Sequence, residues 1–161
     1  MEYNKINFDN YALFYSFNYK NNSHKFLNEI LKKEYLISNY EIVTNINGKP
    51  YLKNCSLFFN ISNKKDMIGI VISNEEIGLD IEYIDSLEIK NDSILKYFFT
   101  NREREYIKNN KDLLLTWTKK ESYIKLLGGR LADCKDIDVF ELKTKFKSIQ
   151  IDDYIITICN Y

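Results

Sequence analysis

The chain has one histidine, one proline, five glycines and three cysteines among its 161 residues. With His24 as its only histidine, Ser-His-Asp and Cys-His mechanisms are removed unless that residue is the base, so any chemistry rests on carboxylates and lysines. Cys55, Cys134 and Cys159 are odd in number, widely spaced and form no C-x-x-C, which supports neither a disulfide framework nor a zinc site and suits a reducing cytoplasm. No apolar run approaches the roughly 20 residues that span a bilayer, and MEYNKINFDN has no apolar core of a secretory signal. Net charge is absent as well: 23 basic residues balance 23 acidic ones. A general polyanion binder needs a basic excess, so neither nucleic acid nor membrane is expected as a partner.

What is present describes a folded chain. Hydrophobic residues make up 45% and aromatics 15%, too much apolar surface for intrinsic disorder, and a chain of this length buries roughly 70% of its unfolded surface. Strand-like runs are expected at 11–17, 40–44, 57–61 and 67–72, with a helix of about three turns after Asn21-Asn22-Ser23 carrying Phe26, Ile30 and Leu31 at helical spacing. The second half opens with Ile77-Gly78-Leu79-Asp80-Ile81-Glu82, in which the apolar residues share one strand face and Asp80 and Glu82 the other. Helices are expected over 87–98, 101–109 and 112–127, the last stopped by Gly128-Gly129, and strands over 137–142, 146–151 and 154–159. Asn74-Glu75-Glu76 is the only plausible boundary, giving subdomains 1–74 and 75–161. Both run strand, helix, strands, so the expected fold is α+β: two similar subdomains, a pseudo-dimer, each a small antiparallel sheet packed with a long helix.

Charge is segregated. From Asp66 to Asp92 there are eight acidic residues and one lysine, whereas Arg102 to Arg130 holds eight basic and four acidic residues. Asp80 and Glu82, two apart in a strand, project from one face about 7 Å apart, which suits either a solvated strand face or a hard-metal site. Trp117, Glu121 and Lys125 recur every fourth residue and line one helix face. Glu121 with Lys125 is either a helix-stabilising ion pair or a carboxylate and ammonium that meet a metal and its phosphate.

Taken together, Ile77–Glu82 and Trp117-Thr118-Lys119-Lys120-Glu121-Ser122-Tyr123-Ile124-Lys125, some 35 residues later, resemble the paired signature of the 4′-phosphopantetheinyl transferases. Asn47-Gly48-Lys49-Pro50-Tyr51, Phe59-Asn60-Ile61-Ser62 and Phe98-Phe99-Thr100 to Glu103 resemble further elements of that family, so the likeness covers roughly residues 24–131. Glu82 and two halves in one chain favour the pseudo-dimeric, surfactin-synthetase-activating type with a shortened first half.

The resemblance implies transfer of the 4′-phosphopantetheine arm of coenzyme A to a serine of an apo acyl or peptidyl carrier protein, releasing 3′,5′-ADP. It implies Asp80, Glu82 and Glu121 as ligands of Mg²⁺, with Mn²⁺ as a substitute, and Lys125 and Lys120 as phosphate-neutralising residues. Glu103 would be the base, Gly48, Lys49 and Pro50 would line the adenine pocket, and Ser62 would contact the 3′-phosphate. Asn63 stands where the family usually has histidine and offers a hydrogen bond without charge, while Lys25, beside His24, would supply a remaining charge. Arg102–Arg130 would dock an acidic carrier, whose encounter rate complementary charge raises. A monomer is expected, with dimerisation the alternative if the short first half leaves an edge uncovered. The competing readings are a non-catalytic coenzyme A- or carrier-binding relative and a metal-dependent nuclease, the latter disfavoured by the balanced charge.

Overall fold

The apolar run Met67–Ser73 is buried along its whole length, and this decides how the layers stack. In the computed structural model, which describes residues 2–19, 22–86 and 92–161 (for Asp92 and Ile94 the backbone alone), that run forms a central strand. Strands β1 (Asn4–Asn7), β2 (Tyr11–Ser16), β5 (Phe58–Lys64) and β6 (Met67–Ser73) make an antiparallel sheet of order β1-β2-β6-β5. Alternation along β6 divides its side chains between two cores. Ile68, Ile70 and Ile72 join Phe26, Leu27, Ile30 and Leu31 of helix α1 (Ser23–Glu34). Met67 and Val71, with Leu13 of β2, turn the other way and pack on the second half of the chain.

That second half is a three-stranded antiparallel sheet of order β7-β9-β8, formed by β7 (Ile77–Tyr83), β8 (Lys145–Ile151) and β9 (Tyr154–Asn160). Ile77, Leu79, Ile81, Ile156 and Ile158 face the first sheet, so one core is shared between the halves. Helices α2 (Asp92–Phe98), α3 (Asn101–Tyr106) and α4 (Asn110–Leu127) follow β7. Helix α4 lies against β7 and β9, and its far side carries a third cluster of Phe99, Ile107, Leu113, Trp117, Ile124 and Cys134. Burial on two sides explains why α4 shows no clean apolar stripe. Strands β3 (Glu41–Thr44) and β4 (Pro50–Lys53) form a separate hairpin whose turn contains Gly48 at φ +88°.

The architecture is α+β, small antiparallel sheets packed with helices. The halves differ in detail: the first sheet has four strands and the second three, and α1 buries one stripe where α4 is enclosed on two sides. Strands β1 and β4 were not expected from the sequence. The helix expected over 87–98 begins at Asp92, and residues 87–91 lie outside the described residues. The strand expected over 137–142 does not form. Residues Leu131–Asp136 make a 3-10 turn and the chain continues irregularly, because a buried ion pair takes Ile137 O and Val139 N, groups a strand ladder would use. No helix among the described residues is long and apolar enough to cross a membrane.

Candidate active site

The site is built where β5, β7 and α4 meet. Gly78, Asp80 and Glu82 alternate with the core residues of β7 and turn toward α4. Gly78 permits the approach: a Cβ there would lie 1.9 Å from Ser122 O and 2.7 Å from Leu126 N. Helix α4 therefore brings Glu121 and Lys125 onto β7.

Strand β5 completes the junction with side chains where a neighbouring strand would use its backbone. Asn60 Oδ1 accepts from Leu79 N at 3.3 Å, and Ser62 Oγ accepts from Ile81 N at 3.2 Å. Ser62 Oγ also donates to Asp80 Oδ1 at 3.2 Å. Lys125 Nζ lies 2.7 Å from Asp80 Oδ1 and donates to Ser62 Oγ at 3.0 Å. Asp80 is 4% exposed, and its second oxygen, Oδ2, is buried without a hydrogen-bond partner. Burial pushes the Asp80 carboxyl upward, with Lys125 opposing. Continuing the alternation of Asn60 and Ser62, Lys64 Nζ reaches Glu82 Oε2 at 2.6 Å, an oxygen to which Ser86 Oγ also donates at 2.6 Å.

Glu121 sits among these charges. Burial first, then the carboxylates of Asp80 and Glu82, raise its pKa to about 7, against the lowering influence of Lys125 and Lys64. Asp80, Glu82, Glu121, Lys125 and Ser62 are thus brought together as expected. They are not gathered into a coordination shell: among the described residues no three His, Cys, Asp or Glu side chains stand close enough to hold a metal ion. Lysines occupy two of the carboxylates instead. The donor set still fits a hard divalent cation, since all three groups are carboxylates and Asp80 Oδ2 has no other partner.

From Lys125 a cleft of about 270 Å³ runs along Asn60 and Ile61 to Asn47, Gly48, Lys49 and Pro50, closed at the helix end by Gly128 and Gly129. Gly128, at φ +65°, ends α4, and Asn47 donates to its carbonyl at 2.8 Å. Lys49 Nζ donates to Leu126 O at 2.7 Å and pairs with Glu76 at 2.6 Å, so a cation caps the negative end of α4. A larger groove of about 470 Å³, between α4 and β8, contains none of the expected site residues.

Four expected residues lie elsewhere. Asn63 is exposed and alternates to the face opposite Ser62, while Lys25 is exposed on α1 and lines no part of this cleft. Glu103 and Lys120 do not line the cleft. Both are fully buried, 2.7 Å apart, on the flank of α4 away from the cleft. Glu103 accepts from Thr100 N at 2.9 Å and Val139 N at 3.0 Å, and Thr100 Oγ1 caps Glu103 N. Lys120 donates to Cys134 O at 2.9 Å and to Ile137 O. Glu103 is therefore the N3 residue of a capping box, legible in the sequence as Thr-x-x-Glu, and Lys120 is the cation that neutralises it. Neither side chain has exposed surface. Lys64 and Asn60 were missed; the signal that finds them is the polar i, i+2, i+4 row of Asn60, Ser62 and Lys64 along one face of the strand.

A family profile described as the 4′-phosphopantetheinyl transferase superfamily matches residues 76–159, a little over half of the chain. The 4′-phosphopantetheinyl transferase gsp of Aneurinibacillus migulanus is 36% identical over 126 residues, covering 69% of this chain and 51% of that protein. The 4′-phosphopantetheinyl transferase HetI of Nostoc sp. is 29% identical over 117 residues, 64% of this chain and 48% of that protein. Fatty acid synthase subunit alpha of Saccharomyces cerevisiae is 27% identical over 115 residues, 66% of this chain and 6% of that protein. The chain spans about half the length of the two transferases it matches. With the signature residues of β7 and α4 inside the matched segment, the chain belongs to the 4′-phosphopantetheinyl transferase superfamily.

Proposed function

We propose that this protein transfers the 4′-phosphopantetheine arm of coenzyme A to a serine of an apo acyl or peptidyl carrier protein, with Mg²⁺ as cofactor. The observation that carries the reading is the meeting of Lys125, Asp80 and Glu121 at one end of a cleft whose other end is the Gly48-Lys49-Pro50 turn. A ligand with a pyrophosphate at one end and a purine at the other fits that polarity.

Asp80, Glu82 and Glu121 would hold Mg²⁺, or Mn²⁺ in its place. A cation bound there supplies neutralisation of the bridging phosphates. Lys125, fixed by Asp80 and Ser62, presents an ammonium to the oxygen on which charge develops as the anhydride breaks. The carrier serine oxygen bonds to the phosphorus that bears pantetheine, the bond from that phosphorus to the bridging oxygen breaks, and 3′,5′-ADP leaves with the electron pair. The serine proton passes to water. Ser62 orients Asp80 and Lys125, and Gly48 and Pro50 form the wall that would receive the purine, with Lys49 anchoring their turn.

Incubation with coenzyme A, Mg²⁺ and an apo carrier protein is expected to add one phosphopantetheine mass to the carrier, and Asp80→Ala or Glu121→Ala to abolish the addition. No mass addition by the intact protein across fatty-acid, polyketide and peptide carriers would overturn the assignment.

A further inference from the structure

Each of the two ion pairs in the site places a lysine on a carboxylate proposed as a metal ligand, and the two lysines are held differently. Lys125 lies on Asp80 and is tied a second time by Ser62 Oγ. Lys64 has Glu82 as its counter-ion, at 2.6 Å, and stands at the end of β5, just before the two-residue turn Lys65-Asp66. Its side chain is 35% exposed while that of Glu82 is 12% exposed. An ion pair with one wet partner contributes little to stability, so withdrawing the lysine costs little. The carboxylate it leaves would stand mostly buried and charged, which is costly unless another cation takes the lysine's place.

Charge counting gives the same direction. Above the Glu121 pKa of about 7, with all three carboxylates ionised, two ammonium groups leave the cluster with one net negative charge. A divalent cation entering alone would reverse that sign, whereas a cation entering with a pyrophosphate diester, one charge on each phosphate, leaves it unchanged. The Lys64 charge acts on Glu121 as well as pairing with Glu82, so an ammonium displaced from Glu82 remains within electrostatic reach of the cluster.

We propose that Lys64 is a resident counter-ion which a divalent cation displaces from Glu82, and that the freed ammonium then binds a pyrophosphate oxygen of the incoming ligand. The inference rests on the metal and coenzyme A reading of this site, and it gives Lys64 a positioning role that couples arrival of the metal to arrival of the phosphates.

The test uses the full chain and two probes, Mn²⁺ alone and inorganic pyrophosphate in saturating Mg²⁺, each titrated calorimetrically. Lys64→Met is expected to bind Mn²⁺ about fivefold more tightly, because Glu82 no longer carries a resident cation, and to bind pyrophosphate about fivefold more weakly. Lys64→Arg should stay near wild type with both probes. Circular dichroism melting verifies that the variants fold, and Lys64→Gln repeats the measurement should the methionine variant not fold. Shifts of the same sign for both probes, an unchanged Mn²⁺ affinity, or no Mn²⁺ binding by the wild type would overturn the inference. Carrier modification is read separately by mass: a wild type that transfers the arm while Lys64→Met leaves Mn²⁺ binding unchanged defeats the lysine inference alone.

Discussion

Glu121 and Glu103 are both carboxylates beside a lysine, and their surroundings give them opposite characters. Glu121 is crowded by Asp80 and Glu82, and its pKa of about 7 means that it holds a proton in the folded protein at pH values where the unfolded chain has lost it. Between about pH 4.5 and 7 the native state binds the extra proton, so this group's contribution to stability falls as pH rises through that window. Melting the metal-free protein from pH 5 to pH 7.5 should show the loss, and Glu121→Gln should flatten it. Glu103, by contrast, has Lys120 at 2.7 Å and two backbone N–H donors, with no exposed surface. Removing one partner of such a pair leaves a buried charge, so Lys120→Met is expected to lose about 3–5 kcal/mol of stability in urea unfolding. Glu103→Gln should likewise be felt first as lost stability; a variant of full stability and no transfer would instead support Glu103 as the base. Asp80, Glu82, Glu121 and Lys125 were legible in the sequence because spacing along one strand and one helix places them. Lys64 was not, because its partner lies 18 positions away across a junction between two sheets.

At the scale of elements, two glycines show how differently the same residue is used. A Cβ on Gly78 would enter the backbone of α4, which cannot yield without lifting the helix from β7. Gly78→Ala should therefore cost about 3 kcal/mol or more and carry Glu121 and Lys125 away from Asp80. A Cβ on Gly48 meets nothing within 4 Å, and the cost of Gly48→Ala comes from φ +88° alone, about 1 kcal/mol. Chemical denaturation of both variants separates the two origins. Most elements could be read from the sequence wherever periodicity and burial agree: β6 as an unbroken apolar run, α1 as a stripe, α4 as a capped segment ended by Gly128. The reading failed at 137–142, where Ile137 and Val139 alternate as a strand would. There the Glu103–Lys120 pair satisfies backbone groups that a sheet would have claimed, a tertiary decision invisible to local pattern.

For the whole molecule, the division near residue 74 separates strand pairing but not packing. Among the described residues no ladder crosses it, yet Leu13, Met67 and Val71 share a core with Leu79, Ile81, Ile156 and Ile158. Unfolding should therefore be a single transition, coincident by near- and far-ultraviolet circular dichroism, and a fragment of residues 75–161 should not fold by itself. The balanced charge takes on a spatial meaning: acidic β7 meets lysines from β5 and α4, so the opposed charges largely cancel within one site. Lys49 carries this furthest. The β3–β4 hairpin has only its own two strands for a sheet, too little to persist alone, and its turn is fastened to the end of α4 by Lys49 and Asn47. The wall of the cleft thus comes into being only after both halves have docked, which makes it the last part of the protein to mature and the first to loosen. Protease cutting or amide exchange at 45–49 would then report how completely the chain has assembled.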